Sequence, residues 1–234
     1  MIKHISKKKI EFFQHTVLEW YKTNGRKFHW RKKGLSNYQY LIAEILLQRT
    51  KAETVAAFYP NFVQKFPNWK ALARTDLNEI KEHLKPIGLY AQRSARLKNL
   101  AAEMVRRNGK LPRNRQELES IPFMGQYISN AVVLVIFNQP SPLIDVNMSR
   151  VLERFFGPRK LADIRYDPYL QSLSYKIAEH ENIREINWAI LDFAALICKT
   201  SPKCNTCSLN IKCFYYESTL YSERTRKQSH RIYK

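Results

Sequence analysis

Apolar residues recur at helical spacing along most of the chain. Ile10, Phe13, Val17 and Trp20 fall at i, i+3, i+7 and i+10, which puts them on one face of an α-helix. Leu41, Ile45 and Leu46 in LIAEILLQRT repeat the pattern, as do Leu97, Leu100, Ala101 and Met104. No run of alternating apolar and polar positions joined by hairpin turns accompanies them, so the expected fold is all-α.

The punctuation predicts short helices joined by tight loops. Pro60 and Pro67 bracket FVQKF, Pro86 and Gly88 end one helix, Gly109 and Pro112 end the next, and Pro140 with Pro142 precedes LIDVN. From about Tyr215 the sequence becomes a polar, basic tail. The segment Met1 to Lys9 is polar and basic with no apolar core after it, and the apolar run AVVLVIF is far too short to span a bilayer. The expectation is a soluble, cytoplasmic protein with no membrane partner.

Composition narrows the class. The 234 residues are 44% hydrophobic and 12% aromatic, enough apolar surface to offset the entropy of ordering a globular core. Forty Lys and Arg against twenty Asp and Glu leave a formal charge of +20, which points to a polyanionic partner, nucleic acid first. The excess is concentrated between Ala91 and Arg115, where eight basic residues meet one acid, Glu103. The same stretch also reads as a solvated helix face.

Three features carry candidate chemistry. Cys198, Cys204, Cys207 and Cys213 form C-x5-C-x2-C-x5-C. In a reducing compartment four such thiolates suit a metal centre better than disulfides, and on spacing alone a structural Zn²⁺ and a [4Fe–4S] cluster are equally good fits. Gly125 in IPFMGQY is one of only six glycines. It stands between a helix ending around Glu119 to Ile121 and one starting near Tyr127, where a tight hairpin presents backbone amides to a phosphate or simply turns the chain. About twenty residues on, Asp145 follows an apolar pair and precedes a helix, the position of an N-cap.

Taken in order, these segments resemble the helix–hairpin–helix (HhH-GPD) DNA glycosylase superfamily, in the branch with endonuclease III and the adenine- and thymine-mismatch glycosylases. EWYKTNGRKFHWR resembles its opening segment, LIAEILLQRT its second helix, IGLYAQRSARL its Gly-Leu-Tyr loop and IPFMGQYISNAV its hairpin. IDVNMSRV resembles its catalytic Asp segment, and NWAILDFAALICKTSPKCNTCSLNIKC its iron–sulfur loop. Phe123 stands where the family hairpin usually has its first glycine.

The resemblance implies a six-helix barrel domain over residues 28–141, an iron–sulfur cluster domain over 1–27 and 142–214, the basic tail 215–234, and a DNA groove between the domains. It implies a monomer that flips a base from mismatched or modified double-stranded DNA and cuts its N-glycosidic bond. Asp145 takes the role of the carboxylate that stabilises the oxocarbenium-like sugar. Tyr127 occupies the position of the lysine that forms a Schiff base in bifunctional members, so the expected enzyme is monofunctional, without strong AP-lyase activity. Glu44 matches an acid that in the adenine-mismatch enzymes protonates the leaving base, and it suits a hydrogen bond to a flipped pyrimidine equally well. Gln48 and Leu89 match side chains inserted into the duplex, with Arg49, Gly125, Gln126 and Asn147 as further DNA contacts. Cys198, Cys204, Cys207 and Cys213 are the implied [4Fe–4S] ligands, with Zn²⁺ the alternative. Tyr127 and Asn147 favour thymine or uracil opposite guanine as substrate. Adenine opposite guanine or 8-oxoguanine, another modified base, and a DNA-binding module without catalysis are the other readings.

Overall fold

A computed structural model describes residues 5–219. The last fifteen residues of the sequence-predicted basic tail lie outside the described residues. Every regular element among the described residues is helical. The α-helices run in order as α1 (Lys7–Asn24), α2 (Asn37–Leu47), α3 (Ala52–Lys65), α4 (Trp69–Arg74), α5 (Leu77–Leu84), α6 (Tyr90–Arg106), α7 (Arg115–Ser120), α8 (Gln126–Ala131), α9 (Val146–Phe156), α10 (Pro168–Ala178) and α11 (Ile183–Leu196).

Local sequence sets most of the starts. Ser6, Asn68, Asp76, Asn114, Asp145 and Asp167 each cap a helix with a side-chain oxygen that accepts a first-turn amide. Ser36 forms a reciprocal capping box with Gln39. Each such cap is worth about 1 kcal/mol, because it satisfies an amide that the helix itself cannot.

The chain divides into two compact units, one made of residues up to Arg26 and from Asn138 onward, the other of Lys27–Phe137. The first packs α1, α9, α10 and α11 around Phe13, Val17, Leu152, Phe155, Ile190 and Phe193, all essentially inaccessible to solvent. Phe13 meets Phe155 and Phe156 at ring-centroid distances of 5.1 and 5.3 Å. One buried ion pair stitches this unit: Arg26 donates its backbone amide and its Nε to the two oxygens of Asp192, each at 2.7 Å. Removing Arg26 would strand the buried Asp192 carboxylate, at a cost of about 3–5 kcal/mol.

The second unit holds α2 through α8 around Leu41, Leu46, Phe62, Leu72, Leu97 and Leu100. Here one sequence expectation fails. Pro60 does not end a helix but lies inside α3. Its neighbours Val55, Tyr59 and Phe62 are buried, and the Tyr59 hydroxyl donates to Gln39 O at 2.9 Å. Packing on one face holds the helix through a position where a backbone donor is missing. After α8 the backbone widens into a π-helix, Val132–Ile136.

Candidate functional site

In the first unit, the approach to Asp145 is fixed before the side chain is considered. Ser141 to Ile144 are buried, and Asn187 of α11 pins them. Its Oδ1 accepts Leu143 N at 2.7 Å, while its Nδ2 donates to Ser141 O at 3.2 Å and to Ile183 O at 2.8 Å. Asp145 then caps α9. Its Oδ1 accepts Asn147 N at 2.9 Å and Met148 N at 2.8 Å, and its Oδ2 accepts Asn147 Nδ2 at 2.7 Å.

Both lone-pair directions of Oδ1 are therefore used, and Oδ2 keeps one acceptor direction. Burial pushes the Asp145 carboxyl above the usual carboxylate range. The amide of Met148, the side chain and amide of Asn147, and then the charge of Arg150 work against that rise. The next residue, Val146, is apolar yet 67% exposed.

Arg150 joins this cap to the cysteine segment. Its Nη1 donates to Asn147 Oδ1 at 3.2 Å, its Nε to Cys198 O at 2.8 Å, and its Nη2 to Ala194 O at 3.2 Å. Arg154, one turn later, donates to Lys199 O at 2.5 Å, to Thr200 O at 2.9 Å and to Cys198 Sγ at 3.5 Å. Its own carbonyl accepts Cys213 Sγ at 3.2 Å.

The four cysteines are free and partly buried. Among the described residues no three His, Cys, Asp or Glu side chains are arranged to hold one metal ion. The thiols nevertheless lie within reach of one another's charge. Burial first, and then Cys213, Cys198 and Cys204, hold the Cys207 thiol up at about 11. Cys204 is raised by burial and by Cys198, and Cys213 by burial and by Cys198 and Cys204. An all-sulfur donor set on one segment has the chemistry that a thiolate-liganded cationic centre requires.

In the second unit, Glu44 sits on α2 between Ala43 and Ile45 and is 3% exposed. Gln48 follows the C-terminus of α2, and Arg49 beside it adopts φ +59°. Leu89 precedes α6 with φ +52° and is 42% exposed. The loops of Gln48 and Leu89 meet on one side chain that sequence reasoning did not single out, Arg93. It donates to Gln48 O at 2.9 Å and to Gly88 O at 2.7 Å.

The hairpin lies between α7 and α8. Gly125 caps α8 with φ −64°, and a Cβ placed on it would meet nothing within 4 Å. Neither backbone conformation nor crowding within the chain demands a glycine there. Phe123 adopts φ +73°, so the left-handed turn is kept although a glycine is not, and its ring carries the Arg96 guanidinium at 4.7 Å. Tyr127 is packed against the core of its unit. Arg115 braces the hairpin by donating to Asn130 Oδ1 at 2.7 Å and to Gln126 O at 3.4 Å.

The basic stretch is less open than its composition predicts. Arg93 is buried, Arg106 and Arg107 both pair with Glu103, Arg115 pairs with Glu119, and Lys98 donates to Thr75 O. No helix among the described residues is long and apolar enough to cross a membrane.

Residues 42–166 match the HhH-GPD superfamily of base excision DNA repair proteins. The chain is 36% identical over 212 residues to a thymine/uracil-DNA glycosylase of Pyrobaculum aerophilum, covering 88% of this chain and 92% of that protein. It is 34% identical over 220 residues to a thymine-DNA glycosylase of Aeropyrum pernix, covering 92% and 98%. Among solved structures, that of a thermostable thymine-DNA glycosylase aligns with a TM-score of 0.83 at 34% identity, covering 90% of this chain and 98% of the other.

Proposed function

This chain belongs to the HhH-GPD superfamily of base excision DNA repair proteins, and we propose that it is a monofunctional glycosylase that hydrolyses the N-glycosidic bond of thymine or uracil opposite guanine. The observation that carries the reading is the setting of Asp145, a partly buried carboxylate held by two backbone amides and the Asn147 side chain, whose Oδ2 keeps one acceptor direction. The names of the similar proteins support the choice of base.

The C1′–N1 bond of the flipped nucleotide lengthens, its electron pair leaves on the pyrimidine, and positive charge develops on the sugar. Asp145 stabilises that charge and accepts a hydrogen bond from the attacking water. Asn147 and the two amides at Oδ1 hold the carboxylate still, so little reorganisation is needed as the charge appears. The water oxygen ends on C1′, its proton ends on the departed base, and the products are a free pyrimidine and an abasic site.

Tyr127 stands where bifunctional relatives use an amine. A phenol forms no imine with C1′, so the strand is left uncut. Glu44 contacts the flipped base from a buried position. Gln48 and Leu89 fill the space that the base leaves and compensate the lost stacking. Arg49, Gly125 and Gln126 contact the backbone of the duplex. The protein works as a monomer on double-stranded DNA, in the cytoplasm and at the nucleoid. The unit of residues 27–137 corresponds to the barrel domain, and the other unit to the cluster domain.

Cys198, Cys204, Cys207 and Cys213 hold a [4Fe–4S] cluster, supported by the all-sulfur donor set and by the likeness of the loop to the family's. When bound, the cluster supplies a fixed anchor for the loop whose Cys198 carbonyl receives Arg150.

The test is single-turnover excision on duplexes containing T:G, U:G, A:G and A:8-oxoguanine, read with and without alkali. Strand breaks from T:G or U:G that appear only after alkali are expected. Release confined to the adenine duplexes would overturn the choice of base, and breaks without alkali would overturn the role of Tyr127.

A further inference from the structure

Arg93 is a charged residue on an apolar stripe. It lies four, seven and eleven positions before Leu97, Leu100 and Met104 on α6, all of them buried, and is itself 4% exposed. Its guanidinium reaches two loops. Nη1 donates to Gly88 O at 2.7 Å and, at 3.3 Å, to Ile87 O. Nη2 donates to Thr50 Oγ1 at 2.8 Å, to Gln48 O at 2.9 Å and, at 3.5 Å, to Leu46 O. All these acceptors are neutral.

The identity of the acceptors matters. Gly88 immediately precedes Leu89, and Gln48 is itself one of the two side chains assigned to fill the duplex. The backbone beside each contact lies in the left-handed region: Arg49 at φ +59°, Gly88 at +72° and Leu89 at +52°. Non-glycine residues persist there only where their surroundings over-determine them. A planar fork with donors in fixed directions can hold two carbonyls from different loops at a set separation. A lysine ammonium at the same place is a single point of attachment.

We propose that Arg93 is a positioning residue whose guanidinium fixes the spacing of the Gln48 and Leu89 loops, so that the two side chains enter the duplex as one preorganised unit. The inference rests on the duplex-filling roles of Gln48 and Leu89 proposed above. Ordering both loops before DNA arrives removes that entropic cost from the insertion step.

The test is a double-mutant cycle of wild type, Leu89→Ala, Arg93→Lys and the pair. Each protein is assayed on a U:G duplex with 2-aminopurine beside the uracil, whose fluorescence rises when the stack opens. Single-turnover excision at saturating enzyme and thermal melting are recorded alongside. Each single variant is expected to blunt the fluorescence rise and slow excision about tenfold, with the double variant within about twofold of either, because both act on one event.

Multiplying effects, about a hundredfold in the double variant and tracking a loss of melting temperature, would reduce Arg93 to a structural cap of α2 and overturn the proposal. Leu89→Ala without effect on fluorescence or rate would instead sink the duplex-filling role of Leu89, and the inference with it. If Arg93→Lys does not fold, Thr50→Val removes one acceptor of the same fork and the cycle is run with it. Coupling to Leu89→Ala then supports the proposal, and additivity overturns it.

Discussion

Asn147 donates its side-chain Nδ2 to the second carboxylate oxygen of Asp145 at 2.7 Å, and its side-chain Oδ1 accepts from Arg150 at 3.2 Å. Arg150 in turn holds the carbonyl of Cys198. A short chain of hydrogen bonds thus links the cysteine segment to the carboxylate assigned to catalysis, and the sequence positions involved are 145, 147, 150 and 198.

In the proposed mechanism Asp145 acts ionised to stabilise a cationic sugar, and burial raises its pKa. The excision rate should therefore fall with decreasing pH along an acid limb centred above the ordinary carboxylate range. Asn147→Ala removes an interaction that favours the charged form, so the limb should move to higher pH, while the rate on the alkaline plateau falls less. Single-turnover rates across pH check this, and an unmoved limb would remove Asn147 from the site.

Raising the folded-state pKa of a carboxyl has a stability consequence of defined sign. Its contribution is complete below the unfolded pKa and is lost as pH rises through the folded value, so ionised Asp145 costs stability at neutral pH. Asparagine also caps helices well. Asp145→Asn should melt at or above the wild-type temperature at pH 8, and the difference should close as the pH is lowered. A lower melting temperature at pH 8 would mean that the cap depends on the charge more than burial opposes it.

Gly125→Ala should leave folding almost untouched, within about 0.5 kcal/mol, because its φ is ordinary and the new methyl meets nothing in the chain. If the glycine is there to let a DNA backbone approach closely, duplex affinity should fall severalfold. Titration by fluorescence anisotropy distinguishes this from a glycine that merely happens to be present.

Phe123 presents the opposite case. Its left-handed backbone, φ +73°, costs about 1–2 kcal/mol for an ordinary side chain, partly offset by the Arg96 guanidinium over its ring. Urea unfolding should show Phe123→Gly no less stable than wild type. Phe123→Val, β-branched and without the ring, should lose about 1–2 kcal/mol.

The helices with a clear apolar stripe and the cap at Asp145 were legible in the sequence, because periodicity and N-cap chemistry are local signals. Asp145 before VNMSRV and the stripe Leu97, Leu100, Ala101 and Met104 are of this kind. Pro60 misled because the buried face of α3 outweighed a local breaker. Arg93 carried an overlooked signal: extending the α6 stripe one turn backward lands on it, yet as a basic residue it was counted with the DNA-facing charge. Asn187 and Arg150 reach partners more than forty positions away, and no local window shows such contacts. The basic stretch read both as a polyanion surface and as a solvated helix face, because composition does not show that Arg106 and Arg107 turn onto Glu103 and Arg115 onto Glu119.

The most direct measurement is single-turnover release of uracil from a U:G duplex by the wild-type protein and by Asp145→Asn, with DNA affinity measured for both. The account predicts that the variant binds the duplex as wild type does and releases base at least about a hundredfold more slowly, the scale on which one charge aimed at the transition state acts. Release at the wild-type rate by Asp145→Asn would contradict it.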